Sequence, residues 1–182
     1  WTWLLLCMFC LVTYRKVLWP PTYSQYPWGS DTWGHVAKAE FLVQEIARGN
    51  YFPLFNPGWY NGVEPFRYWA PVPYYVLAVL IKIAVDPFRA AGLFAAFCAL
   101  LGGSGWLLQK NRLGEIPAAL AAGLWMIWPD HIRVSMSEGN LPRALATAIF
   151  PWVLHHFLLV MERKQWPRAA IILVTLNCIM VR

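Results

Sequence analysis

Residues 90–108 read AAGLFAAFCALLGGSGWLL, and no charged residue interrupts them between Arg89 and Lys110. A helix rises about 1.5 Å per residue, so this run is long enough to cross the roughly 30 Å of hydrocarbon in a bilayer. Small residues recur along it at every fourth position: Ala91, Ala95, Ala99 and Gly103. This spacing is typical of membrane helices that pack closely together. The run therefore predicts a membrane-spanning helix in a helical bundle.

The composition of the chain is that of an integral membrane protein. Of its 182 residues, 59% are hydrophobic and only 13% are charged, whereas a soluble domain carries about 25% charged residues. The net charge of +6 comes from basic residues that stand near the ends of apolar runs. Binding of nucleic acid is excluded, because it needs Lys and Arg clustered on one face. The four cysteines show no metal or redox spacing and are interpreted as packing residues.

Five apolar runs predict an all-α fold, a polytopic transmembrane helical bundle. They cover residues of about 1–19, 90–108, 113–129, 143–161 and 167–182. The first and last runs hold fewer than the roughly 20 apolar residues that a span requires, and the chain begins and ends inside them. We therefore expect a piece of a longer multi-pass protein. We expect it in the cell membrane of a prokaryote, with the lipid bilayer as its partner.

The apolar stretch 74–85 decides the topology. It contains Lys82, and as a helix it is only about 18 Å long, which favours a position in the membrane interface. In that case the basic residues between the later spans face the cytoplasm, as the positive-inside rule requires; if the stretch crossed the membrane, they would face outward. The interfacial position places two polar segments, residues 20–89 and 130–142, on the same outer face.

The first outer segment contains an amphipathic helix that begins near Asp31 and runs to about Ala47. Asp31, His35 and Lys38 are spaced i, i+4 and i+7, so they lie along one face of this helix. They would place a carboxylate, an imidazole and an ammonium near the membrane surface. Two interpretations stay open: a functional group of three, or a helix cap at Asp31 beside an ordinary surface or hydrogen-bonded histidine.

The same segment continues into an aromatic run, residues 50–75, that is rich in Pro and Gly. Glu64 and Arg67 are among its few polar residues. Aromatic side chains of this kind form a belt at the level of the lipid headgroups. The alternative is a binding groove beside the bilayer, with Glu64 and Arg67 as its polar groups.

The second outer segment, residues 130–142, leads into another predicted span. Asn140 can cap the helix that follows, and the free amides at its start, together with Arg143, suit an anionic group such as phosphate. Arg143 is alternatively an anchor at the membrane interface. Glu138 is either a second acid that faces Asp31 or a solvated loop residue.

Three strings of residues carry a resemblance to a known family. The first is Gly29-Ser-Asp31 with His35, and the last is Ser137-Glu-Gly-Asn-Leu-Pro-Arg143. The middle string runs from Gly49-Asn-Tyr-Phe-Pro53 through Tyr60-Asn-Gly62, Pro65-Phe66, Tyr68 and Pro71 to Tyr74-Tyr75. They resemble the polytopic membrane proteins labelled 6-pyruvoyl-tetrahydropterin synthase-related, and the resemblance covers most of the chain. That family is similar to membrane glycosyltransferases of the GT-C fold. Soluble pterin synthases use a zinc site made of histidines, and nothing in this sequence resembles it.

The GT-C resemblance implies a first outer loop with an essential acid, matched by Asp31, and interfacial helices in that loop, matched by residues 74–85. It also implies a second outer loop that contributes polar residues, here Glu138 and Arg143. The implied donor is a polyprenyl-phosphate-linked sugar. A divalent cation is a further expectation, with Asp31 as its candidate ligand. The sequence departs from the best-defined members in lacking a paired acid, because Ser30 and Thr32 flank Asp31.

The resulting hypothesis is a GT-C-type glycosyltransferase that acts on the outer or lumenal face of the membrane. Its predicted catalytic residues are Asp31, His35 and Glu138. The predicted substrate-binding residues are Lys38, Glu64, Arg67, Asn140 and Arg143. The alternative is a non-catalytic polytopic membrane protein, such as a lipid or glycan transporter or an assembly scaffold. For a transporter, the mid-span ionisable candidates are His155 and His156.

Overall fold

The computed structural model describes residues 1–20, 29–163, 167 and 170. Helices dominate this part of the chain, and their bounds are α1 Thr2–Thr13, α2 Arg15–Leu18, α3 Thr32–Ala47, α4 Val72–Ala84, α5 Pro87–Leu107, α6 Lys110–Leu113, α7 Glu115–Met126, α8 Pro129–Ile132 and α9 Leu141–Arg163. A π-helical turn, Arg133–Ser137, follows α8. The aromatic run between α3 and α4 contains an antiparallel bridge that pairs Asn56 with Val63.

Helix α5 is the centre of the bundle and packs against α1, α2, α4, α7 and α9. The predicted stripe of small residues is buried along it, so the packing inferred from their spacing is confirmed. Two glycines of α5 leave space for tryptophan rings of the neighbouring helices α7 and α9. A Cβ atom at Gly102 would lie 2.0 Å from Nε1 of Trp125 on α7, and one at Gly105 would lie 2.7 Å from Cδ1 of Trp152 on α9. Small side chains on α5 therefore set how closely α7 and α9 approach it.

Side-chain contacts define the two ends of the bundle. At one end, which we call the Arg112 end, Thr2 donates to Glu115 and Nε of Arg112 donates to Glu162 over 2.9 Å. The first contact joins the start of α1 to the start of α7. The second joins α6 to the end of α9. At the opposite end the hydroxyl of Tyr14 donates to the carbonyl of Met126 over 2.8 Å. Helices α1 and α7 therefore run in the same direction, and α9 runs opposite to α7.

Two of the described helices, α5 and α9, are long and apolar enough to span a membrane. Both coincide with predicted spans, 90–108 and 143–161. The predicted helix over 1–19 is interrupted at Tyr14, where α1 ends and the four-residue α2 begins. The prediction for 167–182 falls almost wholly outside the described residues.

The predicted helix over 113–129 is shorter than expected. Gly114, with φ at +88°, separates α6 from α7. Helix α7 then covers only Glu115–Met126, and α8 begins at Pro129. A helix of this length is about 18 Å long. The prediction from apolar composition runs past the breaks at Gly114 and before Pro129. A hydropathy pattern contains neither the backbone conformation of a glycine nor the turn before a proline.

The two helices of the first polar segment agree closely with their predictions. Helix α3 ends at Ala47, and Gly49 follows with φ at +86°. Helix α4 begins two residues before the predicted stretch 74–85, with Pro73 in its first turn. Side chains of α3 and α4 share one core with α5 and α9. This core holds the face of α3 that carries His35 against α4.

Candidate functional site

The two polar segments meet through their backbones. The amide of Asp31 donates to the carbonyl oxygen of Glu138 over 2.8 Å, and the hydroxyl of Ser30 donates to the same oxygen over 3.1 Å. Only glycine permits this approach, because a Cβ atom at Gly29 would lie 2.2 Å from the nitrogen of Gly139. Gly139 also has φ at +71°, a conformation that L-residues with a side chain rarely adopt. The start of α3 and the segment before α9 therefore form one unit, which we call the joined site.

Asp31 occupies the N-cap position of α3, but its carboxylate accepts no hydrogen bond from the helix amides. The interpretation of Asp31 as a side-chain cap is therefore wrong. The residue is exposed, and its carboxylate accepts a long bond of 3.4 Å from the hydroxyl of Ser30. The physical reason lies in the backbone: Asp31 is close to helical, with φ at −95° and ψ at −10°, whereas a capping residue is usually extended, and its amide is held by Glu138. The carboxylate is left accessible at the joined site.

His35 is buried, with 2% of its surface exposed, so a surface position for it is wrong. Its Nδ1 lies 2.9 Å from the hydroxyl of Tyr74 on α4, and its ring meets the ring of Trp69 edge-on at 5.0 Å. Burial, assisted by the positive charge of Lys38, lowers the pKa of His35 to about 3. The imidazole is therefore neutral near pH 7 and supplies a hydrogen-bonding group, not a positive charge.

Lys38 is half-buried among aromatic rings. Its Nζ lies 4.9 Å from the ring centre of Trp69 and 5.8 Å from those of Trp59 and Tyr74. Burial lowers the pKa of Lys38, and the charge of Asp31 acts in the opposite direction. The rings supply part of the stabilisation that the ammonium loses with its water, through cation–π attraction. Lys38 thus acts electrostatically on both Asp31 and His35.

Glu138 brings two arginines to the joined site. Its carboxylate pairs with Arg133 and lies 3.5 Å from the guanidinium of Arg143. Arg133 also pairs with Asp130 at 2.5 Å. It is the backbone of Glu138 that meets Asp31, whereas its side chain is directed to the two cations. Arg143 and Asp31 are consequently held on either side of the same residue.

The start of α9 is capped as predicted. Oδ1 of Asn140 accepts a hydrogen bond of 3.1 Å from the amide of Arg143, and Pro142 lies in the first turn of the helix. The cap satisfies one of the amides that a helix leaves free at its start. The position of Arg143, one residue after Pro142, is therefore fixed relative to Glu138 and the joined site.

Glu64 and Arg67 lie at a separate opening. They form an ion pair at 3.5 Å with both side chains exposed, and they line an open pocket of about 300 Å³ whose other walls are Phe52, Pro53, Leu54 and Phe66. The ring of Phe66 lies 5.7 Å from that of Tyr74. The pocket is therefore next to Tyr74, the partner of His35, without being part of the joined site.

The donor set around Asp31 does not fit a divalent cation. Among the described residues, no three His, Cys, Asp or Glu side chains are grouped so that they could hold a metal ion. The carboxylate of Glu138 is engaged by arginines, and the ammonium of Lys38 acts on Asp31 instead of a second acid. Nothing in the arrangement of Asp31 requires a metal.

Several residues, three of them at the site, escaped prediction. Trp59, Trp69 and Tyr74 surround Lys38 and His35. In the sequence the two tryptophans are two among many aromatic residues, and Tyr74 stands out only as part of the string that resembles the family. Their role follows only from the fold of the aromatic run over α3. His131 on α8 is 2% exposed, and neither of its ring nitrogens has a partner in the described part of the chain. No pattern in the sequence singles out His131.

Burial of His35 gives the stability of the protein a definite pH dependence. The pKa of His35 is about 3 in the folded protein and about 6.5 in an unfolded chain. Between these values the unfolded state binds the additional proton, so stability falls as the pH falls. We expect this one group to cost about 2 kcal/mol of stability between pH 7 and pH 5.

Thermal unfolding in detergent at both pH values measures this effect. The variant His35→Gln lacks the titrating group, whereas His131, whose pKa is also lowered by burial, is present in both proteins and cancels. The loss of stability on acidification should therefore be smaller in His35→Gln. Equal losses in the two proteins would contradict a buried, neutral His35.

The contact between the two segments predicts a difference between two glycine variants. In Gly139→Ala the new Cβ would lie 2.1 Å from Oγ1 of Thr32, whereas at Gly49, which also has a positive φ, nothing lies within 4 Å. Both variants strain the backbone, but only Gly139→Ala also separates the segments, at an additional cost of about 1–3 kcal/mol. Denaturant titration compares them, and an equal stability of the two variants would argue against the close contact.

Comparison with known proteins assigns the chain to a family. The family described as 6-pyruvoyl-tetrahydropterin synthase related domain, a membrane protein family, matches residues 66–182, which is more than half of the chain. The matched range includes Tyr74, Glu138 and Arg143, and Asp31 and His35 lie before it. No curated protein and no solved structure matches the chain significantly. The chain belongs to the 6-pyruvoyl-tetrahydropterin synthase-related family of membrane proteins.

Proposed function

We propose that this membrane protein is a GT-C-type glycosyltransferase that transfers a sugar from a polyprenyl-phosphate donor at the outer or lumenal face of the membrane. The observation that carries the proposal is the position of Glu138. Its carbonyl oxygen binds the amide of Asp31, and its carboxylate pairs with Arg143. An accessible acid and a cation suited to phosphate are thereby held at one place by two distant segments of the chain.

The two ends of the bundle support an outer position for this place. The joined site and the Arg112 end lie at opposite ends of α9, which begins beside Glu138 and ends at Glu162, the partner of Arg112. Lys110 and Arg112 belong to the Arg112 end. If Lys110 and Arg112 face the cytoplasm, the joined site faces outward together with the aromatic run 50–75, and Arg15, Lys16 and Arg89 are then interface residues on that outer side.

Asp31 serves as the general base in this proposal. Its exposed carboxylate takes the proton from an acceptor hydroxyl, whose oxygen then forms a bond to the anomeric carbon of the donor sugar. The bond from that carbon to the phosphate oxygen breaks, and the lipid phosphate leaves with the electron pair. A positioned general base contributes a factor of about 10²–10⁴ to such a step. Asp31 acts here as a base and not as a metal ligand, because the described residues around it do not supply the other ligands.

Negative charge develops on the leaving phosphate, and cations stabilise it there. Arg143 and the start of α9, which Asn140 caps, take this task in the proposal, and the carboxylate of Glu138 holds the guanidinium. Lys38 supplies a second positive charge on the α3 side. Neutral His35 orients an oxygen atom by a hydrogen bond. Glu64 and Arg67, in their aromatic pocket, suit the hydroxyl groups of a sugar or acceptor.

The alternative of a non-catalytic transporter or scaffold receives less support. The rings of its candidate residues, His155 and His156, meet edge-on with their centres 5.4 Å apart. Nδ1 of His155 lies 3.5 Å from the guanidinium of Arg112. Arg112 in turn pairs with Glu162. The histidine pair is thus connected to an ion pair at the Arg112 end. Contacts of this kind stabilise the bundle, whereas a substrate path would need ionisable residues at mid-membrane.

The role of Asp31 predicts the effect of removing its charge. Asp31→Asn retains the size of the side chain and the backbone contact with Glu138, but it cannot accept a proton. We expect turnover of a polyprenyl-phosphate sugar by the full-length protein to fall by about 10²–10⁴. The matched control is Glu40→Gln, on the same helix but on its opposite face, which should retain activity. Undiminished turnover in Asp31→Asn would rule out the proposed base.

The proposed topology predicts which side of the membrane each segment faces. Single cysteines at Ser30, Ser137 and Asn111, all exposed positions, are introduced into a protein whose native cysteines are replaced by alanine. A membrane-impermeant thiol reagent on intact cells should label positions 30 and 137 but label position 111 only after permeabilisation. If positions 30 and 137 were labelled from opposite sides, the joined site could not exist in the membrane.

A further inference from the structure

The pair formed by His35 and Tyr74 has a defined hydrogen-bonding direction. Nδ1 of His35 lies 2.9 Å from the hydroxyl oxygen of Tyr74, and both residues are almost fully buried. A phenol hydroxyl is a stronger donor than a neutral imidazole N–H, and an imidazole nitrogen is a stronger acceptor than a phenol oxygen. Tyr74 therefore donates and Nδ1 accepts. In a neutral ring that accepts at Nδ1, the hydrogen is carried by Nε2.

Nε2 of His35 has no hydrogen-bond partner among the residues that the structure describes. A buried donor without an acceptor costs about 1–3 kcal/mol, so an oxygen atom that binds Nε2 recovers this cost. Because the atom is covered in this structure, the side chains over it must move when a ligand binds. Lys38, one turn further along α3, lies over the ring of Tyr74 at 5.8 Å. The same tyrosine thus contacts both the imidazole and the ammonium of the predicted group of three.

We propose that Tyr74 is a positioning residue of the site: its hydroxyl holds His35 in the tautomer that donates from Nε2 to an oxygen atom of the substrate. Deleting this hydroxyl leaves the aromatic ring and its packing against Phe66 and Lys38. It removes the donor that defines the tautomer, so the ring can also carry its hydrogen on Nδ1 and present an acceptor at Nε2. The tautomer follows from the contacts alone, whereas its effect on turnover rests on the proposed function.

The tautomer is measured by ¹⁵N NMR of the full-length protein in nanodiscs with labelled histidine. The two ring nitrogens of a neutral imidazole have different shifts according to which one carries the hydrogen, and His35→Gln identifies the signals of His35. The test variant is Tyr74→Phe. The matched control is Tyr75→Phe, because Tyr75 is the neighbouring residue and its hydroxyl donates to the carbonyl of Tyr51, away from His35.

In the wild type and in Tyr75→Phe, His35 should carry its hydrogen on Nε2. In Tyr74→Phe the signals should shift towards a mixture of both tautomers. A hydrogen on Nδ1 in the wild type, or unchanged signals in Tyr74→Phe, would overturn the proposal. The wild-type measurement decides the tautomer even if a variant fails to fold.

Transfer assays then test the positioning role. Tyr74→Phe should lower kcat by up to about tenfold, the range expected for one hydrogen bond, and Tyr75→Phe should retain wild-type turnover. An altered tautomer with unaltered turnover would refute the positioning role. Wild-type protein that transfers no sugar from any polyprenyl-phosphate donor would instead refute the proposed function, and the NMR result on Tyr74 would stand separately.

Discussion

The hydrogen bond from the amide of Asp31 to the carbonyl of Glu138 connects segments that are far apart in the sequence, and the arrangement of the site depends on it. It needs glycine on both sides, because Gly29 and Gly139 approach each other within the space that one methyl group would fill. Each glycine lies just before a helix. The contact therefore fixes the start of α3, with its acid, relative to the start of α9, with its guanidinium.

Close packing around α5 makes that contact reachable. Its buried small residues bring α7 and α9 near, and Gly102 and Gly105 accommodate the indole rings of Trp125 and Trp152. The segment that joins α7 to α9 is then held at one end of the bundle. Helices α3 and α4 pack against α5 through a shared apolar core, and this brings Asp31 to the same end. Apolar packing thus determines where the polar groups can meet.

Hydropathy and spacing predicted the elements that depend on apolar surface. The bounds of α3, the buried stripe of α5 and the cap of α9 by Asn140 were all visible in the sequence, because each follows from a local pattern. The break at Gly114, the missing cap at Asp31 and the burial of His35 were not. These depend on a backbone dihedral angle, on a partner from a distant segment and on the fold of an aromatic run, none of which a local pattern contains.

The three ionisable side chains along one face of α3 differ in burial, and this difference affects how the protein would bind an anion. Asp31 is exposed, His35 is buried and neutral, and Lys38 is half-buried with a pKa that burial lowers. An anion that arrives near Lys38 favours the charged ammonium and so raises its pKa. By linkage, the same interaction makes the protonated site bind the anion more tightly. Aromatic walls that remove water from Lys38 therefore strengthen its response to a phosphate, whereas a fully solvated lysine would be screened by water and would respond less.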